Sequence, residues 1–187
     1  MRARKSGGPA DQPEAGTHMA RLVGIVDMGH QPGFEWQGNE VPSAYKVRLT
    51  YELPNSMTQD DKPHWVHEEI TNSDNSKSTL ALRVRTLGGQ FEELTAMLGR
   101  PCMVTLVENK NGYIKIDGQG GVGGVPAGIP VPDLINEPFS FDTDRPDMEQ
   151  FNAFPEFIQK KLTEENLDYE GSELEKAILA QEAGAGY

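Results

Sequence analysis

The stretch AYKVRLTYEL, Ala44 to Leu53, constrains the fold more than any other part of the chain. Tyr45, Val47, Leu49, Tyr51 and Leu53 recur at every second position, with Lys46, Arg48, Thr50 and Glu52 between them. A period of two sorts side chains onto the two faces of a β-strand. One face is apolar and one is polar, so the strand belongs to a sheet with one side buried. Arg21–Met28 reads as an earlier strand, and His64–Thr71, with Trp65, Val66 and Ile70, as a third. Thr79 to Gly99 is helical in pattern: Leu80, Val84 and Leu87 share a stripe with Arg83 and Arg85 between them, and Gly88-Gly89 interrupts it. Cys102–Glu108 and Gly112–Gly118 are two more strands, joined by the turn-forming Asn109–Asn111.

The order is therefore three strands, a helix and two strands. Alternating strand and helix is absent, which argues against a doubly wound nucleotide fold. The order predicts a mainly β protein with a five-stranded, OB-like antiparallel barrel and a helix between strands three and four. Another small barrel, or an α+β sandwich, has the same element order. OB barrels bind oligonucleotides on the face of their second and third strands.

Residues 1–18 read as a polar leader preceding a second start at Met19-Ala20-Arg21, and the barrel spans 19–118. A Gly/Pro linker follows at 119–132, and then a C-terminal extension at 133–187. The formal net charge of −12 is unevenly placed: residues 19–132 carry −3 and residues 133–187 carry −10. The extension is acidic and partly helical, with one helix from Asp147, a break or new turn at Pro155, and another over Ser172–Glu182. The phenylalanines of PFSFDTDRPDMEQFNAFPEFIQKKL look like anchors for a surface. An acidic segment of this kind is a solvated or interaction tail, or a phosphate mimic able to occupy a basic groove.

Motifs for catalysis are missing: no P-loop, GxSxG, HExxH or CxxC occurs. His64 and His67 point to opposite faces of one strand, so they do not share a metal with His30. Asp142, Asp144 and Asp147 lack the glycine and glutamate of a calcium loop. The lone Cys102 permits no intrachain disulfide. No apolar run approaches a membrane span. The expectation is a non-enzymatic protein with no cofactor and no membrane partner.

The signal for binding is a mixture of rings and cations. Lys46 and Arg48 lie opposite the apolar face of their strand, and Tyr113 and Lys115 lie opposite Ile114 and Ile116. Trp65 lies opposite Val66 and Ile70. Phe34 and Trp36 stand in the loop Gly29–Pro42, where they either plug the core or offer a surface. Lys77, Arg83, Arg85 and Lys110 complete the set. Single-stranded nucleic acid needs such a mixture, because phosphates want spaced cations and unpaired bases want exposed rings, each stack worth roughly 1–3 kcal/mol. Core packing is the competing role for the aromatics.

GFEWQGNEVPSAYKVRLTYEL (Gly33–Leu53), GRPCMVTLVENKNGYIKIDG (Gly99–Gly118) and the Pro138–Leu162 segment quoted above resemble a family of small tailed-bacteriophage single-stranded DNA-binding proteins, encoded with DNA replication or recombination genes. The resemblance covers roughly residues 20–162. It implies an OB barrel with an acidic tail ending in an aromatic, here Tyr187. It also implies action in the host cytoplasm on single-stranded DNA, with replication or recombination proteins as partners through the tail. The Gly/Ala stretch before Tyr187 and the helix-like segment ahead of it depart from that pattern. Homo-oligomerisation stays open. The rival expectation is a phage protein-interaction module that grips a host or replisome protein through its acidic end.

Overall fold

A computed structural model of the chain describes residues 11–185. Strand β1, Gly16–Gln31, is the spine. Along one edge it pairs antiparallel with β4, Ala44–Met57, which in turn pairs with β5, Pro63–Thr71. The other edge is divided: Gly16–Arg21 pairs antiparallel with β6, Pro101–Glu108, and Gly24–Val26 pairs parallel with β9, Phe139–Phe141. Strand β7, Ile114–Ile116, and the short β8, Val122–Gly123, lie against β6. The main order is β5-β4-β1-β6-β7, and the sheet curls until β5 and β7 approach within 8 Å between Cα atoms. The protein is mainly β, a strongly curled antiparallel sheet with few helices. Between β1 and β4 stands a separate ribbon of β2, Phe34–Trp36, and β3, Asn39–Val41.

Helix α1, Thr79–Leu87, sits between β5 and β6 in the chain and plugs the curl. Ser78 caps it by accepting the Ala81 N–H, and Gly88 ends it with φ 69°. The expected helix therefore stops at Gly88 rather than running on to Gly99. A 3-10 turn, Leu94–Met97, follows, and the close approach of Met97 to the Gly89 backbone leaves no room for a side chain there.

Two cores sit on the two sides of the sheet. The inner one joins Leu22 and Ile25 of β1 to Val47, Leu49, Tyr51 and Leu53, to Val104 and Leu106, and to Leu80, Val84 and Leu87 of the helix. The outer one packs Val26 and Met28 against Phe141, Phe151, Phe154, Ile158, Leu162 and Leu174 of the C-terminal region. Strand β1 is apolar on both faces because both are covered.

Three expected boundaries move. Residues 11–18, expected to stay outside the fold as leader, are part of it: Gly16–His18 pair with Leu106–Val104, and Asp11 and Gln12 hydrogen-bond to His64, Gly112 and Ile114. Backbone pairing with β6 captures Gly16–His18 whatever their side chains, while Asp11 and Gln12 are held through theirs. The rest of the expected leader, 1–10, and Tyr187 lie outside the described residues. The expected linker 119–132 begins inside the fold, since a 3-10 turn at Gln119–Gly121 and β8 belong to the sheet's end. The last predicted strand shortens to Ile114–Ile116.

The C-terminal region is tied down along its length. Helix α2, Met148–Ala153, is capped by Asp147, and α3, Glu156–Leu162, starts at Pro155 as the sequence suggests. Helix α4, Glu173–Ala185, begins after Ser172, whose hydroxyl accepts the Glu175 N–H. Arg21 holds the backbone carbonyls of Val131 and Pro132. Phe139 lies so close over Gly24 that a Cβ there would stand 2.2 Å from its ring. Asn166 packs as tightly on Gly29 and accepts the His30 N–H.

Candidate nucleic-acid interface

The ribbon β2–β3 answers the question of Phe34 and Trp36. Phe34 stands opposite Val41, Trp36 opposite Asn39, and Glu35 opposite Glu40. Alternation puts both rings on one face and both carboxylates on the other. The rings are 56% and 60% exposed, so they form a surface rather than a plug. Gln37 and Gly38 turn the ribbon at φ 49° and 77°, the left-handed pair that suits a two-residue hairpin. A lone two-stranded ribbon is marginal in water, and this one leaves an apolar face bare.

The outer face of β4 and β5 is a second candidate surface. Four cross-strand pairs line it: Lys46 with Thr71, Arg48 with Glu69, Thr50 with His67, and Glu52 with Trp65. Lys46 and Lys77 share a concavity of about 560 Å³ with the Glu69 carboxylate and with hydroxyl and amide groups of Thr71, Ser73, Ser78 and Gln119. Lys46 Nζ donates to Thr71 Oγ1 at 3.1 Å. The sequence offered no reason to place these two lysines together.

Farther along the same face lies an apolar groove of about 470 Å³. Its floor is Arg48, Thr50, Trp65 and His67; its wall is Phe139 and the corner of α2 and α3. Trp65, 38% exposed, tilts against Phe139 with ring centroids 5.6 Å apart, and its Nε1 donates to Glu52 at 2.9 Å. Glu52 is fully buried, but the Ile135 N–H and the Asn136 side chain also donate to it, at 2.6 and 2.8 Å, so its charge is solvated by protein. Crowding by the surrounding protein, and then the Arg48 guanidinium, push the His67 imidazole down to about 4. It is therefore neutral near pH 7, hydrogen-bonded through Nδ1 to Thr50.

Arg48 is not the free phosphate contact that the sequence predicts. Its Nη1 donates to Glu69 at 2.9 Å, Lys161 reaches the same carboxylate at 2.7 Å, and the Phe157 ring lies 5.5 Å beneath its guanidinium. The C-terminal region supplies both Lys161 and Phe157, contacts invisible to a strand-face argument.

Arg83 leaves the list of binding residues altogether. Its side chain is fully buried; Nε and Nη2 donate to the two oxygens of Glu68 at 2.7 and 2.9 Å, and Nη1 and Nη2 reach the Gln119 and Gly118 carbonyls. Tyr51 donates to the same carboxylate, and burial first, then Glu68, raise its phenol well above the ordinary value. Arg85 is exposed on the last turn of α1, with one bond to the Ser76 carbonyl. Lys110, Tyr113 and Lys115 are exposed as predicted, Tyr113 by 51%. They stand beside the Gly16 end of β1, however, while the ribbon stands at its Gln31 end. The structure therefore does not bring the two groups of rings together.

Other reactive groups are occupied structurally. Asp142 and Asp147 accept backbone N–H groups, and Asp27 accepts the Thr143 hydroxyl. Burial pushes the Cys102 thiol up to about 12. Among the described residues no cluster of three or more His, Cys, Asp or Glu is placed to hold a metal, and no helix is long and apolar enough to cross a membrane. Tyr45, 51% exposed, was counted with the core face but stacks on His30 and donates to Asp168. No family model matches the chain, and neither a curated protein nor a solved structure matches it.

Proposed function

We propose that this protein binds single-stranded DNA without catalysing a reaction, through an OB-like barrel, in phage DNA replication or recombination. The observation that carries this reading is the bare pair of rings, Phe34 and Trp36, on a ribbon that leads directly into β4, the strand whose Lys46 shares a concavity with Lys77. Rings without cations would suit any apolar partner, and cations without rings any polyanion. Together they suit unpaired bases on a phosphate chain.

The barrel assignment has its own support. Counting β1, β4, β5, β6 and β7 as the five barrel strands, the order is third, second, first, fourth, fifth, with a helix between the third and fourth. In an OB barrel, oligonucleotides lie on the face of strands two and three, between the loop after strand one and the loop after strand four. Here those are the β4–β5 face, the Phe34–Trp36 ribbon and the Lys110–Tyr113 loop. A strand laid along this path meets both groups of rings, with sequence preference weak because every base has a face to stack.

Trp36→Ala with Tyr113→Ala tests the path. Both side chains are more than half exposed, so the fold survives. Losing two stacks, each worth roughly 1–3 kcal/mol, weakens binding to oligo-dT by at least about 30-fold. Fluorescence anisotropy at two salt concentrations reads the change, and an affinity equal to that of the wild type rejects the path.

A further inference from the structure

The groove between β4–β5 and the α2–α3 corner is an apolar space beside the proposed DNA path. We propose that it is a slot for one base of a bound single strand, completed by Phe157 and Gln150 of the C-terminal region. This rests on the reading of the protein as a single-stranded DNA binder. It gives the C-terminal region a part in holding DNA, in place of an acidic tail that DNA would displace.

The occupant follows from the chemistry of the walls. Trp65, Phe139 and Phe157 make the slot aromatic, and Phe157, 52% exposed, lies open at its mouth. Glu137 brings a carboxylate to the lining, and the other polar groups that reach it are fixed or neutral. Arg48 is spent on Glu69 and Phe157, while Thr50 and His67 are bonded to one another. Gln150 brings an amide donor and acceptor to the wall. A slot of this make-up fits a flat, uncharged ring with hydrogen-bonding edges. It does not fit a phosphate, which would meet no free cation there.

Anion chemistry lies next door. Lys46 is two residues from Arg48 on the same face of β4, about 7 Å along the strand. Cations in the neighbouring concavity and rings in the slot therefore repeat the alternation of a nucleotide chain, phosphate beside base. The volume, about 470 Å³, lies in the range of sites that take small organic groups.

The chain has two tryptophans, Trp36 and Trp65, which makes the slot observable. In full-length Trp36→Phe, Trp65 is the only indole. Labelled oligo-dT is titrated while its anisotropy and the Trp65 emission are recorded together. The slot requires Trp65 emission to be quenched in step with the anisotropy rise. It also requires Phe157→Ala, in the same background, to weaken binding roughly 5- to 150-fold, the span for one lost stack. Anisotropy that rises while Trp65 emission stays flat and Phe157→Ala binds unchanged overturns the slot and leaves DNA binding standing. Anisotropy that never rises overturns the DNA reading, and the slot with it.

Discussion

Arg83→Met should be among the most damaging single changes in this chain, and the reason lies in what it leaves behind. The guanidinium is fully buried, and Glu68 is only 11% exposed. With Arg83 gone, the Glu68 carboxylate keeps, among the described residues, only the hydrogen bond from the Tyr51 hydroxyl. Removing one partner of a buried ion pair costs about 3–5 kcal/mol, because the other charge stays buried and uncompensated. Against a total stability of roughly 5–15 kcal/mol, that is a large fraction. The assay is urea unfolding followed by circular dichroism. With a slope of roughly 2 kcal/mol/M, the midpoint should fall by about 1.5–2.5 M. Adding Glu68→Met removes the stranded charge and should restore part of the loss, leaving mainly the unpaired Tyr51 hydroxyl, worth roughly 1–3 kcal/mol. The double variant must therefore be more stable than Arg83→Met alone. A single variant that loses less than about 1 kcal/mol, or a double variant that loses the sum of the two singles, refutes the account of Arg83 as a paired core charge.

Two further outcomes follow from packing and charge. Gly24→Ala places a methyl where the Phe139 ring now lies, and should cost about 1–3 kcal/mol in a thermal melt. The cost should shrink when Phe139→Ala is already present, and equal costs in both backgrounds would contradict the contact. For His67, the folded value of about 4 lies below the ordinary 6.5, so the unfolded chain takes up the proton first as pH falls. Its contribution to stability is constant above about pH 6.5, declines toward pH 4 and then levels off. His67→Gln should remove that part of the decline in a pH series of urea midpoints; parallel curves would show that His67 plays no role in it.

What the sequence revealed depended on whether the deciding partner was local. Ala44–Leu53 was legible because its period and its burial are the same fact: the odd positions Val47, Leu49, Tyr51 and Leu53 face the core. The helix starts at Asp147 and Ser172 were written in the residues beside each helix. Arg83 was misplaced although its spacing held a clue. Leu80, Arg83, Val84 and Leu87 stand at i, i+3, i+4 and i+7, so Arg83 belongs to the buried stripe. Glu68 likewise falls between Val66 and Ile70 on the inner side of β5. Two opposite charges on core-facing positions predict one another, and a reading that treats every arginine as a candidate cation passes over that. The Gln37-Gly38 turn lay inside a segment read as loop, since Gln-Gly is not one of the pairs that favour a two-residue hairpin. The engagement of Arg48 was not legible, since Glu69, Lys161 and Phe157 meet it only after the chain has folded back.

Gly24 and Gly29 carry a practical warning for anyone trimming this protein. Both are hollows in the spine strand, moulded to Phe139 and Asn166. Cutting the chain after residue 132 would strip the cladding from Val26 and Met28 and bare the rim of Gly24–Val26 that β9 now seals. A raw strand rim flanked by greasy side chains invites self-adhesion. Precipitation of such a fragment would report an undressed sheet and would say nothing of any recruiting role for the acidic end.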